Sequence, residues 1–185
     1  MQNCKKLVAE YKGGNVNIVE NKLLSLEGCP EQITGYFNCS YNKLKSLMGG
    51  PKIINGDFAC THNGLTSLVG GPEIIASNYW CKTNRLTDLV GCASHIAMLN
   101  CSENYDITSL VGIHKIIKSC KVFNISDDVI TDGGIGLLLI SNLNNISSQS
   151  KPFAIIKQYL GTGTKGMMEC SKELTAKGYA PYAKL

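Results

Sequence analysis

Charge is scarce in this sequence. Only 17% of the residues are Asp, Glu, Lys or Arg, the net charge is +4, and the basic residues are scattered rather than run together. A dedicated nucleic-acid binder needs a basic stripe, so that class is set aside. Aromatic residues are also few, with one tryptophan, Trp80, in 185 residues. No apolar run is long enough to span a bilayer, and Met1 to Val8 lack the apolar length of a secretion signal. No Cys-x-x-Cys spacing occurs, and His62, His95 and His114 fall at unrelated positions. No catalytic set can be assembled from them, so no enzymatic activity is expected. The length allows one compact domain, or one array with a cap.

Cysteine is the exception. There are nine, an odd number, and four of them share one position in a repeat. With no export signal, the expectation is a reduced, cytoplasmic protein.

The repeat is what organises the chain. Phe37-Asn38-Cys39-Ser40-Tyr41-Asn42-Lys43-Leu44-Lys45-Ser46-Leu47 has the form apolar-x-Cys-x-x-Asn-x-Leu-x-x-Leu. The pattern returns about every 21 residues: at Phe58 to Leu68, at Tyr79 to Leu89, and, with one extra residue, at Leu99 to Leu110. Val16 to Leu26 is an earlier copy with Ile18 in the Cys place. A fixed period of this length means a stacked solenoid. Within each copy the alternation apolar, polar, apolar predicts a short strand, with Phe37 and Cys39 inward and Asn38 outward. Stacking aligns Val16/Phe37/Phe58/Tyr79/Leu99 and Ile18/Cys39/Cys60/Cys81/Cys101, followed by two columns of Leu and Ile. A single copy cannot bury these groups, whereas neighbours can.

The Asn column (Asn21, Asn42, Asn63, Asn84, Asn104) has another cause. Where the chain leaves the strand, main-chain groups turn inward without a ladder partner, and an amide side chain both donates and accepts. Asp128 stands at the next position, where the ladder is expected to stop. Gly28-Cys29-Pro30, Gly49-Gly50-Pro51 and Gly70-Gly71-Pro72 mark the return path, which is predicted to be extended or 3₁₀-like.

After Asp128 the period changes to that of a helix. Ile135, Leu138, Leu139, Leu143 and Ile146 fit one face of a helix from about Asp132. Two more helices are predicted, from Lys151 to Leu160 and from about Thr164 to Lys177. The expected division is therefore a solenoid over 1–127 and a helical C-terminal cap over 128–185, in the α/β class.

These copies resemble the short leucine-rich repeats of bacterial and phage proteins, over roughly residues 15–131. Their Cys, Gly-Gly-Pro and Asn-Lys-Leu wording is most similar to leucine-rich repeat proteins of large tailed bacteriophages. The resemblance implies a right-handed curved solenoid with a parallel concave sheet that binds other proteins. It further implies a phage product that engages or inhibits a host protein in the bacterial cytoplasm.

Outward strand positions do no core work, yet they carry unusual residues. Tyr36, Asn38, Tyr41, His62, Trp80, Lys82, Met98 and Glu103 are the expected partner-binding set on the concave face, since exposed aromatics and Met mark interfaces. The expected partner is a protein, with no nucleic acid and no membrane. Neither cofactor nor metal is expected, because cysteines in a straight column cannot surround one ion. Two alternatives stay open. Gly161-Thr162-Gly163-Thr164-Lys165-Gly166 spells G-x-G-x-x-G and could serve a nucleotide, although it follows a predicted helix rather than a strand. Otherwise the array is a structural, self-associating repeat protein.

Overall fold

A computed structural model describes residues 4–9, 11–126, 130 and 132–185. It is a parallel β-solenoid of the leucine-rich-repeat type with C-terminal helices. The expected Asp128 position at the end of the Asn column lies outside the described residues.

Each turn starts with a two-residue strand on the main sheet: β1 (Val16–Asn17), β3 (Phe37–Asn38), β5 (Phe58–Ala59) and β7 (Tyr79–Trp80). The return path of three turns forms a second, small parallel sheet from β2 (Gln32–Ile33), β4 (Ile53–Ile54) and β6 (Ile74–Ile75). The later strands are longer, β8 (His95–Asn100) and β9 (Ser119–Asn124), with a one-turn helix α2 (Ile113–Ile116) between them. Register follows the repeat, with Phe37 opposite Phe58, Phe58 opposite Tyr79 and Tyr79 opposite Leu99. The inward columns are buried, and the rings of Phe37, Phe58 and Tyr79 stack at 6.0 and 5.0 Å between centroids. Aromatic contacts of this kind add about 0.5–1.5 kcal/mol each beyond area burial.

The Asn column ties each turn to the one before it. Asn63 Oδ1 accepts the Leu44 N–H of the preceding turn at 3.0 Å. Its Nδ2 donates to the Cys39 carbonyl of that turn and to the Cys60 and Thr61 carbonyls of its own. Asn42, Asn84 and Asn104 repeat the arrangement. Each amide thus satisfies inward main-chain groups that no strand ladder reaches. In the first turn the Asn21 side-chain amide donates to the Val19 carbonyl of its own turn, and the Asn21 N–H donates to Asn42 Oδ1.

The main sheet continues past the boundary expected at 127/128. Strand β10 (Asn145–Ser147) pairs parallel with β9, placing Ile146 opposite Phe123. The helix expected through Ile135, Leu138, Leu139, Leu143 and Ile146 does not form. Its place is taken by a 3₁₀ turn over Ile135–Leu139 and then by β10. Gly133 explains the difference. It continues the series Gly28, Gly49, Gly70, Gly91, Gly112, each at positive φ, and it lies against Leu110 and Val111 as Gly91 lies against Leu68 and Val69. The chain therefore makes another solenoid turn. Leu137 rather than Leu138 or Leu139 enters the core.

The two later helices form as expected, α3 (Lys151–Gln158) and α4 (Gly163–Ala176). Phe153, Ile155 and Ile156 of α3 and Cys170 and Leu174 of α4 are buried in the common core. The tail folds back as a 3₁₀ turn (Ala180–Ala183), with Tyr182 edge-on to Phe153, its hydroxyl donating to the Ile130 carbonyl, and Lys184 paired with Asp132 at 2.8 Å. At the other end a one-turn helix α1 (Cys4–Leu7) covers the first turn. Cys4 and Cys29 are joined by a disulfide, with Cα atoms 5.3 Å apart. This corrects the expectation that all cysteines are reduced. Only the folding of α1 against the first return loop brings two residues 25 apart together, and no spacing rule reveals it.

Replacing Asn84 by Ala leaves the buried Leu65 N–H unmet and strips one bond each from the Cys60, Cys81 and Lys82 carbonyls, which keep Asn63, Asn104 and the His62 N–H as donors, and is expected to cost about 2–4 kcal/mol in chemical denaturation. Asn21→Ala, at the open end of the ladder, is expected to cost under about 1 kcal/mol. Equal losses would show that the ladder does not act between turns.

Candidate concave-face interface

The outward faces of the strands form rows, one residue per turn, about 4.8 Å apart. The central row reads Asn17, Asn38, Ala59, Trp80, Asn100, Asn124. Three of the four Asn side chains fold onto their own strand ends, whereas Asn124 donates to the Met98 sulfur. Asn17, Asn38 and Asn100 Oδ1 accept the N–H of Val19, Ser40 and Ser102. Ala59 and Trp80 break this row on two adjacent turns. Trp80 is half-buried beside the small Ala59 of the neighbouring strand.

Asp57 sits one residue before β5 and accepts the Asn78 N–H at 3.0 Å. Partial burial pushes its carboxyl up, but donors on Ser77, Asn78 and Trp80 outweigh this and hold it below the ordinary value.

A second row lies where the strands end. Glu20, Tyr41, His62, Thr83 and Glu103 all have φ between 51° and 59°. This left-handed region costs a non-glycine residue about 1–2 kcal/mol, and the β-branched Thr83 suits it least. Glycine would relieve that cost, yet the row carries none. Instead its side chains interact. Tyr41 and His62 stack with ring centroids 4.2 Å apart. Thr83 donates to Glu103 at 2.8 Å, and Lys82 pairs with Glu103 at 2.8 Å. Hydrogen bonds from Lys82 and Thr83 hold the Glu103 carboxyl below its ordinary value, while Glu103 raises Lys82. The sign follows directly. The pair is present above the ordinary carboxylate range and is lost as pH falls through the lowered value of Glu103. Both side chains are more than a third exposed, so the pair fixes geometry more than it stabilises.

The residues expected to bind a partner therefore fall into groups. Tyr41 with His62, and Lys82 with Glu103, are brought into contact. Trp80 stands beside them on the central row. Tyr36 is exposed one residue before β3, while Met98 is half-buried and receives the Asn124 amide on its sulfur at 3.5 Å. Asn38 is engaged by the Ser40 N–H and acts within the scaffold. Asp57, Ala59 and Thr83 fall on the outward face by the repeat but lie outside the expected partner-binding set; the break in an otherwise Asn-rich row was the signal for Ala59.

No family model, curated protein or solved structure matches this chain.

The remaining chemical candidates have local explanations. Cys39, Cys60, Cys81 and Cys101 are fully enclosed, and burial pushes every one of these thiols up, away from the thiolate. Cys39, Cys81 and Cys101 donate to main-chain carbonyls of the next turn. His62 and His114 are half-buried rather than solvated; His114 packs on Gly136, and burial with Lys115 and Lys118 nearby lowers its pKa. His95 is exposed at the start of β8. In the Gly161–Gly166 segment, Gly161 and Gly163 have positive φ between two helices, and a side chain on Gly166 would collide with Thr162. Among the described residues, no helix is long and apolar enough to cross a membrane.

Denatured without reductant, the protein is expected to titrate seven thiols, matching the free cysteines, and nine after reduction. In the native state all seven should react slowly because they are buried. Nine thiols before reduction would show that Cys4 and Cys29 are not joined.

Proposed function

We propose that this protein is a non-enzymatic binding module whose concave face, centred on Trp80, recognises another protein. The observation that carries the reading is the interruption of the Asn row by Ala59 and Trp80. An Asn at these positions would serve the strand ends, so folding alone does not call for the exchange. The left-handed Tyr41–His62 row beside it supports the same reading, because backbone strain is retained where a side chain has work to do. Trp and Tyr on a rigid sheet lose little entropy on contact and suit the centre of an interface. The Lys82–Glu103 pair and Asp57 leave the face with no basic excess, which disfavours nucleic acid as partner.

Resemblance to leucine-rich repeat proteins of tailed phages extends the proposal to a bacterial host protein that is engaged or inhibited during infection. The cytoplasmic setting rests on that resemblance. The Cys4–Cys29 bond points the other way, since cytosolic proteins seldom keep structural disulfides.

With a partner recovered from host lysate, calorimetry should show Trp80→Ala losing about 2 kcal/mol or more of binding free energy. Tyr36→Ala and Tyr41→Ala should lose less, and the melting temperature of the free protein should barely change. If Trp80→Ala and Lys82→Glu both bind like wild type, the concave-face reading is wrong.

A further inference from the structure

The main sheet ends differently on its two sides. Strand β10, the last, has α3 packed against it. Strand β1, the first, pairs with β3 alone, and the helix α1 near it is a single turn. The interior turns show what β1 still has to offer. Phe37, Cys39 and Tyr41 N–H donate to the Asp57, Ala59 and Thr61 carbonyls of the next turn at 2.8–2.9 Å. Leu44 N–H donates in the same direction, to Asn63 Oδ1. In the first turn the corresponding acceptors are Asn15, Asn17, Val19 and Asn21. Among the described residues, no donor reaches the Asn15 carbonyl, the Asn17 carbonyl or Asn21 Oδ1. Val16 and Ile18 N–H turn to β3, donating to the Tyr36 and Asn38 carbonyls. The alternation of a parallel ladder therefore points the Asn17 N–H and carbonyl the other way, to the open edge. Asn15 and Asn17 are both exposed there.

The edge opens into a cleft of about 440 Å³, lined by Asn15 to Ile18 together with Leu7, Val8, Tyr11 and Lys12. The groups present define its occupant. Main-chain donors and acceptors at strand spacing call for an extended backbone, because a helix has already spent its own. Val16 and Ile18 are only 5% and 2% exposed, and Leu7 and Val8 pack on the same core. Inward side chains of the occupant must therefore be small. Among the described lining residues Lys12 carries the one charge, and it precedes β1 in the chain. A parallel segment meets it with an acidic residue at its N-terminal end. We propose that the open edge of β1 is a strand-acceptor site. An extended segment of another protein, acidic at its start and with small inward side chains, adds there to the main sheet in parallel with β1.

This site is independent of the concave-face reading, and its test separates the two. The probe is the peptide acetyl-Asp-Ala-Thr-Ala-Thr-Ala-amide, titrated into the isotope-labelled full chain and followed by nuclear magnetic resonance. Amide shifts should centre on Asn17, with a Kd of about 1 mM or tighter. N-methylation at the first and second alanines removes the donors that meet the Asn15 and Asn17 carbonyls, and should weaken binding about 10-fold or more. N-methylation at the two threonines, whose N–H groups face away from β1, should change it less than about 2-fold. Lys12→Glu should weaken the probe about 3-fold or more, and a peptide with Lys in place of its Asp should recover the loss. Trp80→Ala should bind the probe like wild type. No shift at Asn17 with the peptide at about 5 mM overturns the proposal. So does binding that ignores which amides are methylated. An Asn17 amide that shifts with protein concentration alone makes a second copy the occupant and equally overturns it.

Discussion

The side-chain amide of one Asn per turn is the constraint on which the structure depends. Strands β1 to β7 are only two residues long, and where the chain leaves them inward groups such as the Leu44 N–H and the Cys39 carbonyl have no main-chain partner. An unmet buried N–H or carbonyl costs about 1–3 kcal/mol, and a stack of turns would multiply that loss. Asn42, Asn63, Asn84 and Asn104 remove it by accepting from one turn and donating to two. A Ser or Thr hydroxyl has a single proton and cannot donate to both turns while accepting; Asp accepts without donating, and Leu does neither.

Once the inner surface is settled in this way, the outer positions have no core to fill. That freedom allows Trp80 to replace an Asn on the concave face, and lets Met48, Val69, Val90 and Val111 stand exposed along the side. The two surfaces differ in kind. The concave one is aromatic and polar, with pre-positioned pairs such as Tyr41–His62 and Lys82–Glu103. The lateral one is aliphatic, with Met48, Val69, Val90 and Val111 exposed on consecutive turns.

The columns of Phe, Cys, Leu and Asn were legible in the sequence because each returns at one spacing and each needs its neighbours. The turn at Ile135 to Ile146 was not, because Ile135, Leu138, Leu139, Leu143 and Ile146 satisfy a helical period as well as a solenoid turn. Only the glycine series ending at Gly133 distinguishes them, and it does so through backbone conformation rather than hydrophobicity. The Cys4–Cys29 bond depends on where α1 docks, which local pattern does not reveal. On the concave face Trp80 stood out by residue type. The roles of Asp57 and Ala59 required knowing which residues share a row, and the left-handed conformation of His62 and Thr83 is a property of the turn rather than of either residue.

Amide hydrogen exchange resolved by residue tests the ladder most directly. The N–H groups of Leu44, Leu65 and Leu86 lie outside every strand, yet each donates to an Asn Oδ1 of the next turn. If the ladder holds the stack together, they should open only with the fold and exchange as slowly as the amides of Cys39, Cys60 and Cys81, which donate to main-chain carbonyls of the next turn. Exchange of these three at the rate of solvent-facing loop amides, with the strands still protected, would contradict the account.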